Sequence, residues 1–133
     1  MKGVIIKKAK IVSDDERRII TEIMNGELAI KNLKVLIVKN SELPLGNHWH
    51  PYAEIMYILK GKAKYRMKNL DTREEEDFDL EEGDVVFRTS RIVHGGWFEK
   101  GSIIIDAACE TYLSADFNDV YYNILHKEEK QNE

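Results

Sequence analysis

Three of the four histidines in this chain fall in a pattern that could hold a cation or move a proton. The run Gly46-Asn47-His48-Trp49-His50-Pro51-Tyr52-Ala53-Glu54 sets two imidazoles and a carboxylate at positions of one parity. His94 follows downstream, beyond the turn signal Glu82-Gly83-Asp84. Side chains two or four apart on a strand point to the same face. One strand through the run would therefore present His48, His50 and Glu54 together, with the two histidines about 6.6 Å apart along the chain. Neutral imidazole nitrogens and an ionised carboxylate suit a first-row divalent metal. An imidazole, with an ordinary pKa of about 6.5, suits a general base equally well. His126, near the end of the chain, is expected at the surface.

Strands must carry these residues. Pro44 and Pro51 flank the histidine run and argue against helix there. Turn signals recur at Asn25-Gly26, Lys60-Gly61, Asn69-Leu70-Asp71, Glu82-Gly83-Asp84 and Lys100-Gly101, with short period-2 runs between them. That rhythm predicts an all-β sandwich or barrel. Lys62 to Lys68 alternates apolar and charged residues, which predicts a strand with one wet face. It should pair with Thr72 to Leu80 in a hairpin. Leu33 to Val38 and Ile103 to Ile105 are continuous apolar runs, expected to be covered on both faces, and Arg18 to Met24 and Val85 to Arg88 are further strand candidates. Only the tail, Asp119 to Lys130, has apolar residues near helical spacing, with acids early and lysines late. The acidic runs Asp14-Asp15-Glu16 and Glu74-Glu75-Glu76-Asp77 read as solvated turns or strand faces.

The 133 residues suit a single domain, 1–133, that can bury a core without disulfides. The lone Cys109 has no internal partner and sits in an apolar stretch, which fits a reducing compartment and a packing role. A net charge of −4 offers no electrostatic footprint for nucleic acid. No apolar run approaches the ~18 residues of a membrane span, and the opening residues are too short for a signal peptide, so a cytoplasmic protein is expected.

At the level of motif the chain resembles the cupin superfamily. The first cupin motif, His-x-His, three residues, Glu, six residues, Gly, is met in full by His48, His50, Glu54 and Gly61. Its leading glycine position is occupied by Glu42, with Gly46 displaced from it. In the second motif Gly83 and His94 keep register, while Thr89 and Arg91 stand at the Pro and Gly positions and Phe98 where Asn is common. The resemblance spans about residues 35–109. It implies a double-stranded β-helix (a jelly-roll barrel) holding one divalent metal ion, Mn, Fe, Ni, Co or Zn, on His48, His50, Glu54 and His94. Open coordination positions would make the ion a Lewis acid or redox centre.

Three functions follow from this resemblance. The first is a metal-dependent enzyme of dioxygenase or isomerase type acting on a small molecule. Trp49, Tyr57, Tyr65 and Trp97 would be available to line its mouth, and Arg88 to hold an anionic substrate, whereas Arg66 lies on a solvated face. The second is metal-independent. Asp15-Glu16-Arg17-Arg18 followed by Gly46-Asn47-His48-Trp49-His50 resembles the nucleotide-sugar ketoisomerases and epimerases of this fold. By that resemblance His48 or His50 is the general base, and Arg17 or Arg18 lies near a phosphate. The third is a non-catalytic barrel that binds a small ligand. Barrels of this kind pair, so a homodimer is expected, with Val4-Ile5-Ile6 as an added strand.

Overall fold

The computed structural model describes residues 1–126. Two five-stranded antiparallel sheets face one another in a jelly roll, and a small hairpin stands beside them. The first sheet runs β1 (Val4–Lys8), β9 (Asp84–Arg88), β6 (Glu54–Lys60), β11 (Ile103–Ala108) and β4 (Asn32–Ile37). The second runs β12 (Val120–Tyr121), β5 (Leu45–Trp49), β10 (Ile92–Phe98), β7 (Lys62–Asn69) and β8 (Glu75–Glu81). Among the described residues β2 (Lys10–Asp14) and β3 (Ile19–Glu22) pair only with each other.

Alternation within strands puts the core between the sheets. Met56 and Ile58 of β6, Val86 of β9 and Ile104 of β11 meet Ala63, Tyr65 and Met67 of β7 and Ile92 and Phe98 of β10. The expected hairpin between Lys62–Lys68 and the following strand forms, with Lys62 opposite Glu81 and Lys68 opposite Glu75. The N-terminal strand β1, expected as a strand added in dimer formation, pairs within its own chain, on β9 with Ile6 opposite Val86. Two outer faces are capped by chain segments. Ile23, Met24 and Leu28 pack over Ile55, Tyr57 and Val85 of the first sheet. Ile124 and Leu125 pack against Val93 of the second, beside Trp49 and Trp97.

Two expectations from periodicity are corrected here. Leu33 to Val38 is not covered on both faces: Leu33, Val35 and Ile37 are 65%, 64% and 67% exposed. These three residues share one parity and point away from the core, and the segment that caps this face packs over Ile55, Tyr57 and Val85 instead. The tail also departs from a helix over Asp119–Lys130. The helix α1 is a single turn, Ala115–Asn118, with Ser114 capping the Phe117 amide. Val120 and Tyr121 then join β5, opposite Trp49 and His48. Pairing with an open sheet edge outweighs a weak local helical preference. Residues 127–130 of the expected helix lie outside the described residues.

Candidate active site

The histidine run does not form one strand. β5 ends at Trp49, the chain bends through Pro51 and Tyr52, and Glu54 opens β6 in the opposite sheet. The two sheets nonetheless bring the four expected residues to one place. His48 faces His94 directly across β5 and β10. Nitrogen atoms of His48, His50 and His94 lie within 4.8 Å of one another. Glu54 Oε1 is 3.0 Å from His50 Nε2 and 4.0 Å from His94 Nε2.

Gly46 makes the approach of β5 to β10 possible. Its φ is +90°, and a Cβ there would sit 2.5 Å from the carbonyl oxygen of His94. The displaced glycine of the first motif thus has a local role at the bulge between His94 and Gly95. Arg91, at a glycine position of the second motif, adopts a φ of +66°. Its guanidinium pairs with Asp71 at 2.8 Å and lies over the Trp49 ring.

Arg88 changes the chemistry of this cluster. It is 3% exposed and stands opposite Glu54 in the β6–β9 register. Its Nη2 donates to Glu54 Oε1 at 2.9 Å and lies 3.2 Å from His94 Nε2. A guanidinium can only donate, so His94 accepts at Nε2 and carries its proton on Nδ1, which donates to the Ile92 carbonyl at 3.0 Å. Burial and then the Arg88 charge hold the His94 pKa well below the usual imidazole range. Burial alone would raise the Glu54 pKa, but Arg88 and the His50 hydrogen bond overcome it and hold the carboxyl far below its ordinary range.

His50 bridges two carboxylates. Its Nε2 lies 3.0 Å from Glu54 Oε1, and its Nδ1 lies 3.0 Å from Asp119 Oδ1 and 3.3 Å from the Asn118 carbonyl. Tyr52 stacks on the ring at 4.9 Å. His48 differs from both other histidines. It is the cluster member on β5 that lines the cavity, its side chain is 25% exposed, and its Nδ1 lies 3.6 Å from Asp119 Oδ2. Burial, then the neighbouring His50, lowers its pKa to about 4, so it is neutral across the ordinary range.

Asp119 escaped sequence reading because no motif marks it. It reaches the histidines only because β12 pairs with β5. Asn118 locks that turn by donating to the Thr111 carbonyl at 2.9 Å and accepting from Leu113 N at 2.8 Å. Of the aromatic residues considered for a mouth, Tyr65 lines the barrel cavity, its ring stacked 6.3 Å from His94. Tyr57 and Trp49 pack in the outer clusters, and Trp97 lines a groove on the outside of β7 and β8. Arg66 is bound to Asp77 at 2.6 Å and to the Ile124 carbonyl rather than simply solvated. Arg17 and Arg18 both fold back onto Asp15.

The cavity between the sheets measures about 110 Å³. His48 and His94 line one side, Arg88 and Asp106 the other, with Leu36 and Met56 among the apolar walls. Burial, then the Glu54 charge, pushes the Asp106 carboxyl up to about 6. Three imidazoles this close fit a divalent cation. The fourth expected ligand, Glu54, is engaged by Arg88 and His50, and a cation there would share His94 Nε2 with a guanidinium.

A cupin domain model matches residues 35–101, and the chain belongs to the cupin family. Solved structures with the same fold include the sugar 3,4-ketoisomerase QdtA from Thermoanaerobacterium thermosaccharolyticum in complex with TDP. It is 20% identical with a TM-score of 0.75, over 99% of this chain and 98% of that one. The WlaRB TDP-quinovose 3,4-ketoisomerase from Campylobacter jejuni is 16% identical with a TM-score of 0.76, over 96% and 97% of the two chains. A dTDP-4-dehydrorhamnose 3,5-epimerase from Sulfolobus tokodaii is 16% identical with a TM-score of 0.74, over 91% and 77%. No curated protein sequence matches the chain significantly. No helix among the described residues is long and apolar enough to cross a membrane.

Proposed function

We propose that this cupin is a nucleotide-sugar ketoisomerase or epimerase that works by proton abstraction next to a keto group, with His48 as general base. The observation that carries this reading is the division of labour among the histidines. His94 Nε2 is used by Arg88, and His50 is held between Glu54 and Asp119. His48 faces the cavity, and no hydrogen bond among the described residues engages its Nε2. A base must be neutral before reaction and stabilised as a cation after it. The depressed pKa supplies the first condition, and Asp119 at 3.6 Å is the neighbour that favours the cation, against burial and His50. His50 and Asp119 are positioning residues in this scheme. The cavity is smaller than the roughly 300–1,000 Å³ of pockets that enclose drug-sized ligands. It suits the reacting edge of a sugar, with the nucleotide outside the barrel. Structural likeness to enzymes named for TDP-sugars supports that substrate class.

The test is solvent exchange. With TDP-4-keto-6-deoxyglucose in deuterated water, the protein should incorporate deuterium beside the keto carbon, followed by NMR. His48→Asn should slow this by about 10²–10⁴-fold. Equal rates in the two proteins would remove His48 from the chemistry.

The three-imidazole cluster supports a second reading, a divalent ion (Mn, Fe, Ni, Co or Zn) held by His48, His50, Glu54 and His94. Such an ion would supply Lewis-acid or redox chemistry. Elemental analysis of the purified protein decides: a stoichiometric metal that disappears in His50→Ala supports the metal centre, and less than a tenth of an equivalent removes it. We place the protein in the cytoplasm as a homodimer. The unpaired Cys109 and the exposed apolar edge of β4 support these assignments.

A further inference from the structure

The cavity holds two polar groups that proton abstraction by His48 leaves unused. Arg88 spends Nη2 on Glu54 and His94, but its Nε and Nη1 are buried without a hydrogen-bond partner among the described residues. Asp106 Oδ1 is in the same condition. Both residues line the cavity. Leaving a buried polar group unsatisfied costs about 1–3 kcal/mol, and more when it is charged. Three such atoms beside one small cavity mark a place for a ligand.

The complementary ligand can be read from the chemistry. Arg88 can only donate, so it faces an acceptor oxygen. An ionised Asp106 can only accept, so it faces a hydroxyl. The charge of Arg88 is already balanced by Glu54, so an anionic fragment would face Asp106 without compensation. A neutral fragment bearing a carbonyl beside a hydroxyl meets every condition. The sheets also present these groups on opposite sides. His48 belongs to β5 of one sheet, and Arg88 and Asp106 belong to β9 and β11 of the other.

We propose that Arg88 and Asp106 are the oxygen side of the active site: they bind an α-hydroxyketone and move its carbonyl to the neighbouring carbon, which makes the enzyme a ketoisomerase. This inference rests on the His48 reading above. His48 takes the proton from the carbinol carbon, and the C–H electron pair forms a double bond to the carbonyl carbon. The carbonyl oxygen becomes an enediolate oxygen held by Arg88. Asp106 takes the hydroxyl proton from the first oxygen, where a new carbonyl forms, and delivers it to the second. The imidazolium, whose proton exchanges with solvent, protonates the second carbon. Atoms and electrons balance with no outside oxidant or reductant.

TDP-4-keto-6-deoxyglucose in deuterated water, with product position read by NMR, tests this directly. The wild-type protein should yield the 3-keto isomer. Asp106→Asn should slow carbonyl transfer at least 100-fold, slow carbon-bound exchange by a clearly smaller factor, and melt no lower at neutral pH. Asp106→Glu should recover part of the transfer. Wild-type transfer rates in Asp106→Asn, or equal loss of exchange and transfer in a folded variant, overturn the inference. A wild-type product with the keto group still at C4 and deuterium at C3 and C5 also overturns it, and does so without any variant while leaving His48 as base. A wild-type protein that neither binds nor exchanges the probe overturns the proposed function itself.

Discussion

Glu54 and Arg88 stand directly opposite one another on β6 and β9, and their side chains meet at 2.9 Å inside the barrel. A carboxylate that could have served a metal is thereby tied to a fixed cation. The same guanidinium sets the proton position on His94. One cross-strand pair therefore organises two of the four residues singled out by motif.

Breaking that pair should be expensive. Removing one partner of a buried ion pair leaves the other charge uncompensated, at a cost of about 3–5 kcal/mol. Arg88→Met should lower unfolding free energy by that amount in urea titration. Arg88→Met combined with Glu54→Leu should recover most of the loss, because the two charges of the pair are removed together. A double variant as unstable as the single one would show that packing, rather than charge, dominates at this position.

Asp119 should matter for turnover more than for stability. Asp119→Asn keeps the shape but withdraws the charge that faces His48 and His50. We expect kcat for the proposed proton transfer to fall about 10–100-fold with KM within twofold. A melting temperature within a few degrees of wild type should accompany it. Unchanged kcat would mean that Asp119 only ties the tail to β5.

His48 and Asp106 should contribute to acid stability with opposite signs, beside His94 and Glu54, whose lowered pKa values act in the same direction as that of His48. His48 has its pKa lowered from 6.5 to about 4, so the folded state resists protonation. Its contribution is complete above about pH 6.5 and lost as pH falls toward 4. Asp106 has its pKa raised from 3.8 to about 6, so its contribution is complete below about pH 3.8 and lost as pH rises through 6. The two oppose each other between about pH 4 and 6, each at a scale of about 1–3 kcal/mol. Asp106→Asn removes the compensating group. Its stability should fall more steeply than that of wild type on acidification from pH 6.5 to 4, measured by chemical denaturation at stepped pH. A parallel pair of curves would contradict the burial assigned to Asp106.

The apolar edge of β4 should govern assembly. Val35 projects from the middle of the exposed Leu33–Val35–Ile37 stripe. Val35→Glu should convert the proposed dimer into a monomer in light scattering, with little loss of secondary structure. A wild-type monomer, or a variant that stays dimeric, would locate the interface elsewhere or nowhere.

What the sequence determined by itself was the strand rhythm and the ligand-type residues. Alternation in Lys62–Lys68 and the turn residues around it are local properties, and local chemistry sets them. His48, His50, Glu54 and His94 were legible for the same reason, since their spacing is a short-range pattern. That His48 and Glu54 lie in opposed sheets was not legible, because a bend at Pro51–Tyr52 breaks the parity argument. The exposure of β4 depends on where the segment that caps its sheet packs, and no residue within β4 encodes that. Asp106 and Asp119 became candidate site residues only through pairing between distant strands, and Arg88, an anion-holding candidate from the sequence, gained its contacts with Glu54 and His94 in the same way. A lone Arg or Asp has no spacing to betray it, and its role is decided by what the fold sets beside it.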